Sequence, residues 1–299
     1  MVYQYRPVRF YGIVFALTWV FWFAAALLGR VEAQDSGLSF VLMFFGLLVP
    51  PVTALCTVLL SKSAALKKDL RDKLIGLFRV KPLTVLIAVA LFGAVIAGSI
   101  LLSTLFGQSI SQFAFADDFS FAGGGAVALL TIVLAAFFEE LGWRGYAEDS
   151  IAFYFSWWKE SLLFGLVWAL WHVPLFFIPD TYHFNILQES PWFAVNFFIS
   201  IMPLGFIMTW VYVKNERSIF ACMIFHFFVN FLQEKIAMTQ TTKCVETFVL
   251  FIVAGIIVYL NKELFFETRH IGRLLPENAD DLRGESRCSG SYPPARRQA

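Results

Sequence analysis

Val127-Ala-Leu-Leu-Thr-Ile-Val-Leu-Ala-Ala-Phe-Phe-Glu139-Glu140-Leu-Gly-Trp-Arg144 is an apolar run that ends in two adjacent carboxylates, with an arginine four residues after the second. The run reads as part of a membrane span, and a charge placed in hydrocarbon costs about 2.5–3.5 kcal/mol on insertion scales. Such a pair persists where it faces a cavity, a partner or a substrate. It marks the place to look for chemistry.

Composition extends the membrane reading to the whole chain. The sequence is 59% hydrophobic and 18% aromatic, and charged residues make up only 15%, against roughly 25% in soluble domains. The 35 phenylalanines suit lipid contact better than a small soluble core. Net charge is +1 and carries little information, because the charges are segregated along the chain. Cys56, Cys222, Cys244 and Cys288 show neither disulfide-framework nor metal-ligand spacing. The first apolar stretch follows Arg6 and Arg9, is too long for a signal h-region, and is expected to remain as a span.

Windows of about 20 apolar residues occur eight times, at roughly 10–29, 39–60, 83–106, 122–140, 161–179, 192–213, 218–234 and 245–266. The expected fold is all-α: a polytopic membrane protein of about eight transmembrane helices around an intramembrane, cytosol-facing cavity. Residues 1–277 form one helical domain whose motifs fall in 120–235. The polar tail 278–299, rich in Gly, Ser, Pro and Arg, is expected to be disordered. Lys62, Lys67, Lys68, Arg71, Lys73, Arg79 and Lys81 lie between spans two and three, while the segment after span three offers only Asp117 and Asp118. Arg144 and Lys159 follow span four, Lys214 and Arg217 span six, and Lys262, Arg269 and Arg273 span eight. Arg30, Lys235 and Lys243 are the exceptions. Basic segments thus alternate in register with an even number of spans, which places both termini in the cytoplasm. Pro50-Pro51, Pro174 and Pro203 interrupt spans, as is tolerated where neighbours or a cavity satisfy the freed carbonyls.

This topology brings polar residues of three spans to comparable depth. Glu139 and Glu140 lie near the cytoplasmic end of span four. His172 lies about 16 Å into span five and His226 about 12 Å into span seven, with Asn230 one turn deeper. His226 and Asn230 share a helix face. Glu140 and Arg144, at i and i+4, can pair, whereas Glu139 points roughly 100° away around the helix. Glu139 is therefore the freer carboxylate and the working group, with Glu140 and Arg144 as its structural support.

Two histidines and two glutamates also permit a zinc site, but there is no H-E-x-x-H pattern, and a cofactor-free site is favoured. Cys222, one turn before His226, has nothing nearby in sequence to hold it as a thiolate. His183 and His270 are expected to be solvated. Trp143, Trp157, Trp158 and Trp192 fit an aromatic belt at span ends, and Trp168 and Trp171, beside His172, fit either packing or a cavity wall.

In this order and spacing the residues resemble a known family. Glu139-Glu140-Leu-Gly-Trp-Arg144 matches the E-E-x-x-x-R motif of the CAAX-processing and bacteriocin-processing intramembrane proteases, which include the type II CAAX prenyl endopeptidases. Trp168-Ala-Leu-Trp171-His172-Val-Pro174 is similar to the second motif, with Trp168 where Phe is commonest. His226-Phe-Phe-Val-Asn230 is similar to the later H-x-x-x-N. The likeness covers roughly residues 120–235, and its forms look more like the prokaryotic members. It implies an endopeptidase in which Glu139 and His172 activate a water and His226 and Asn230 stabilise the oxyanion.

The substrate implied is a peptide or lipidated protein cut near its C-terminus, with membrane lipid as the other partner. No nucleic acid is expected. The chain would be integral and multi-pass, in the cell membrane if it is prokaryotic. Two rival readings remain open from the residues: a proton-coupled transporter, since intramembrane Glu and His also build proton relays, and a catalytically silent scaffold of the bacteriocin self-protection kind.

Overall fold

The computed structural model describes residues 3–31, 37–75, 79–117, 119 and 125–267. The expected disordered tail 278–299 and His270 lie outside the described residues. The chain is all-α, and its helices are α1 (Pro7–Val31), α2 (Gly37–Leu59), α3 (Ala64–Leu74), α4 (Pro82–Ser103), α5 (Gly125–Gly142), α6 (Glu148–Ala152), α7 (Trp157–Trp171), α8 (Tyr182–Glu189), α9 (Pro191–Lys214), α10 (Ile219–Lys235) and α11 (Gln240–Leu260). Six segments are long and apolar enough to cross a membrane, built on α1, α2, α4, α7, α9 and α11. With the shorter α5 and α10, of 18 and 17 residues, they occupy the eight expected positions. The protein is an integral, multi-pass membrane protein.

The prolines act unequally. Pro50-Pro51 and Pro203 sit inside continuous helices, whereas Pro174 falls in the 3₁₀ turn Val173–Phe177 that follows α7. Pro174 lacks an N–H and its ring crowds the carbonyl four residues back; unlike the other prolines it coincides with a break, α7 stopping at Trp171 with His172 as its C-cap. Close helix crossings depend on small residues. A Cβ on Gly142 would lie 2.5 Å from the Pro50 side chain and 2.7 Å from its carbonyl carbon, so α5 and α2 touch backbone to backbone there. Gly205 of α9 meets Gly165 of α7 in the same way, a Cβ on Gly205 falling 3.2 Å from Gly165 Cα. Small-residue crossings of this kind let membrane helices gain packing energy without a hydrophobic driving force.

The helix ends on the termini side are packed solid. α5 continues through a π-helical turn, Trp143–Ala147, into α6. Fully buried Arg144 lies between Glu140, 3.0 Å away, and Glu148, 2.8 Å away, with its guanidinium 4.7 Å over the Phe164 ring. Below it, Asp149 pairs with Lys73 of α3 and with Arg217 of the α9–α10 turn, and accepts from the Tyr212 hydroxyl at 3.1 Å. Asp69 completes the network, meeting Lys73 at 2.9 Å and both terminal nitrogens of Arg217 at 2.7 and 2.8 Å. Burial would raise the Asp69 carboxyl, but Lys73 and Arg217 outweigh it and hold it well below the usual carboxylate range. Glu216 and Arg217 sit at φ 54° and 63°, a conformation uncommon outside glycine, and the bidentate Asp69 contact holds Arg217 there. Amphipathic α3 is thereby latched across this face. The N-terminal segment joins it, with the Tyr154 hydroxyl donating to the Tyr5 carbonyl at 2.6 Å.

The opposite half of the bundle is hollow. A cavity of about 790 Å³ runs from Glu139 toward the far helix ends, past Ser39, Met43 and Leu47 of α2 and Thr131 and Ala135 of α5, to Tyr182, Gln233, Gln240 and Lys243. This corrects the expected geometry. Helix depth alone suggested polar groups open toward the termini side; the structure closes that side with the Arg144 and Asp149 networks and opens the other. Cytoplasmic termini and a cytosol-facing cavity therefore exclude each other on this fold.

Candidate active site

Glu139 stands at the floor of the cavity on the last turn of α5, and is 6% exposed. Its Oε2 accepts hydrogen bonds from the indole N–H of Trp168 at 2.9 Å and of Trp143 at 3.4 Å. Neutral donors fix the carboxylate without tying it to a cation. Glu140, one residue on, faces away from the cavity. It pairs with Arg144 and also meets His226 Nδ1 at 2.8 Å.

The two motif histidines are oriented by different partners. His172 Nδ1 lies 2.7 Å from the Trp168 carbonyl. A carbonyl only accepts, so Nδ1 carries the proton and Nε2 keeps its lone pair. His226 Nδ1 faces the Glu140 carboxylate, which fixes Nδ1 as the donor, and the Trp168 ring stands edge-on to the His226 imidazole at 5.5 Å. Trp168 therefore touches Glu139, His172 and His226 together. Asn230, one turn along α10, lines the same cavity. No direct hydrogen bond joins Glu139 to His172, yet both line the same cavity.

Several residues are placed differently from the sequence reading. Trp143 and Trp157 do not belong to an interfacial belt: they are 0% and 1% exposed, and Trp143 serves Glu139. Trp192, 77% exposed at the start of α9, does fit a belt. His183 is half-buried and lines the cavity instead of standing in an open loop. Its ring stacks on His172 at a centroid distance of 5.7 Å and meets Phe197 edge-on at 4.6 Å, and its buried Nε2 finds no partner among the described residues. Glu140 supports His226 as well as Arg144. Cys222 is fully buried and absent from the cavity wall. Two of these contacts are long-range, with Glu140 and His226 86 residues apart and Glu139 and Trp168 29 apart, whereas Trp143 reaches Glu139 from four residues along the same helix. Among the described residues, no three His, Cys, Asp or Glu side chains come together as a metal-ligand set.

A helical membrane protein with a carboxylate, two oriented imidazoles and an amide around one internal cavity carries the groups that an intramembrane hydrolase needs. Comparison with known proteins makes the class specific. Residues 122–232 match the family described as "Type II CAAX prenyl endopeptidase Rce1-like". The chain is also 43% identical over 265 residues to "CAAX prenyl protease 2" of Methanococcus maripaludis, covering 89% of this chain and 97% of that relative. The protein belongs to the CAAX prenyl endopeptidase family, and membership makes it a membrane-embedded protease.

Proposed function

We propose that the protein is an intramembrane endopeptidase that cuts membrane-associated, CAAX-type peptides near their C-terminus, prenylated ones included. The observation that carries the reading is the Trp168 hub, which holds Glu139, His172 and His226 around one cavity. A water would donate one O–H to Glu139 and the other to the free Nε2 of His172; Glu139 would take its proton as the oxygen attacks the scissile carbonyl, and would return that proton to the leaving amine as the C–N bond breaks. General-base assistance of this kind contributes about 10²–10⁴ in rate. His226, acting as the imidazolium with Nδ1–H held by Glu140 and Nε2–H free to donate, and Asn230 would donate to the oxyanion, where loss of one donor costs about 10²–10³. Charge then builds on an oxygen whose donors are already fixed, so little reorganisation accompanies the step. No metal is invoked. The lipid chain of a prenylated substrate would lie along the apolar wall between α2 and α5. These helices touch at Pro50 and Gly142, and further along both line the cavity, with Met43 and Leu47 on one side and Thr131 and Ala135 on the other.

The test is proteolysis of a fluorogenic farnesylated CAAX peptide by purified protein. Cleavage is expected for the wild type, to be abolished by His172→Ala, and to be unaffected by a strong chelator. Chelator-sensitive turnover would overturn the metal-free mechanism. Equal turnover of prenylated and unprenylated peptides would remove lipid recognition. Net pH-driven flux in proteoliposomes without proteolysis would support the transporter reading instead, and absence of both would support the silent scaffold.

We read the orientation from the charge distribution. The basic segments around Lys62–Lys81, Lys159 and Lys214–Arg217 share the termini side, while the cavity side carries Arg30, Lys235 and Lys243 as its only Lys and Arg among the described residues. Positive charge marks the cytoplasmic side. The termini are therefore read as cytoplasmic, and the cavity as opening on the other face of the cell membrane. In a background lacking native cysteines, Asn185→Cys should react with an impermeant maleimide in intact cells and Lys159→Cys only in inverted vesicles. The reverse pattern would restore a cytosol-facing cavity.

A further inference from the structure

Among the lysines and arginines of the described residues, Lys243 alone lines the cavity. It stands on the first turns of α11, where the helix N-terminus adds partial positive charge. Its ammonium is held by neutral groups: the Tyr182 hydroxyl at 3.3 Å and the Gln233 carbonyl at 3.4 Å, with the Tyr182 ring 4.6 Å from Nζ. Tyr182 is steadied in turn by donating to Gln240 at 3.2 Å. Lys243 forms no ion pair among the described residues. Glu246, one turn along, is the obvious counter-charge, but its carboxylate accepts from Gln233 at 2.7 Å instead. A lysine ammonium offers three donors, and the two neutral contacts leave it able to accept an anionic ligand.

Position gives this cation a meaning. Gln233, whose carbonyl touches Lys243, lies seven residues beyond His226 on α10, or about 10 Å along the helix axis. Three extended peptide residues span about 10 Å. We propose that Lys243 binds the terminal carboxylate of the substrate, so that its separation from the Glu139–His226 floor measures out a fragment of about three residues. This rests on the reading of the protein as a peptidase acting near a C-terminus. A neighbouring acid makes the cation decisive: Glu246 lines the same part of the cavity and would repel an incoming carboxylate without it. Lys243 acts on binding and register, so its effect belongs in KM and in the position of the cut.

The test compares three farnesylated Cys-Val-Ile-Met peptides: the free acid, the C-terminal amide, and an amide with Asp replacing Met. Wild type should cleave the acid at least about tenfold better in kcat/KM than the plain amide, chiefly through KM. Lys243→Gln should bring the acid down to the amide rate, while Lys243→Arg should keep most of the preference. Equal use of acid and amide by wild type, or a preserved preference in Lys243→Gln, would overturn the proposal. Rescue by the Asp side chain alone would reassign Lys243 to side-chain recognition and overturn the ruler. Binding of the tripeptide Val-Ile-Met as acid and amide, read by tryptophan fluorescence, separates the two levels. If wild type cleaves nothing, the peptidase reading fails, and equal affinity for the two tripeptides would show independently that Lys243 is not the carboxylate site.

Discussion

Glu139→Gln is expected to lower kcat by about 10²–10⁴ while leaving the protein folded, because a general base contributes on that order. Glutamine retains the carbonyl oxygen that accepts from the Trp168 and Trp143 indoles, so the floor of the cavity keeps its shape. What disappears is the ability to take a proton. Single-turnover cleavage of a lipidated peptide, read beside a thermal unfolding scan, checks both halves of this expectation. Near-normal turnover would sink the assignment of Glu139 as base. A collapse of stability would mean that the side chain holds the structure and not the water.

Glu140 should behave in the opposite manner. Glu140→Ala removes one of the two carboxylates that flank fully buried Arg144 and strips His226 of its Nδ1 partner. Breaking a buried ion pair by deleting one member costs about 3–5 kcal/mol, because the remaining charge stays in a low-dielectric environment. The unfolding midpoint should fall by roughly ten degrees, and the fraction that stays folded should cleave poorly through a misoriented His226. Glu140→Gln, which can still accept from His226, should lose less of both. An Ala variant as stable as wild type would mean that Glu148 alone satisfies Arg144.

The contrast between these neighbours shows how far local reasoning reaches. That Glu140 and not Glu139 pairs with Arg144 follows from a four-residue spacing on one helix, and the structure has that pair at 3.0 Å. The eight apolar segments were equally legible, since each is a contiguous run whose length must match a bilayer. The break of α7 beside His172 coincides with Pro174, within a few residues of backbone. By contrast, Trp143 read as an interfacial tryptophan because it stands at a span end. It is buried because the helix continues through a π-turn and folds that end inward. His183 read as a loop histidine because nothing in its own segment shows that α8 folds back to stack it on His172.

The side on which the cavity opens was the furthest from reach. Distances counted along each helix gave comparable depths for Glu139, His172, His226 and Asn230, but depth does not say which end of the bundle is filled. That depends on Arg144, Asp149, Lys73, Arg217 and Asp69, drawn from α3, the π-turn, α6 and the α9–α10 turn, closing one face together. The sequence by itself determined a helical membrane protein, its spans, the family motifs and the local Glu140–Arg144 pair, because each rests on contacts or periodicities within a few turns. Only the tertiary structure decided the Trp168 hub, the tie between Glu140 and His226, the place of Lys243 and the sealed face. Apart from the local Trp168–His172 contact, those rest on side chains tens of residues apart, whose meeting is set by how the helices cross.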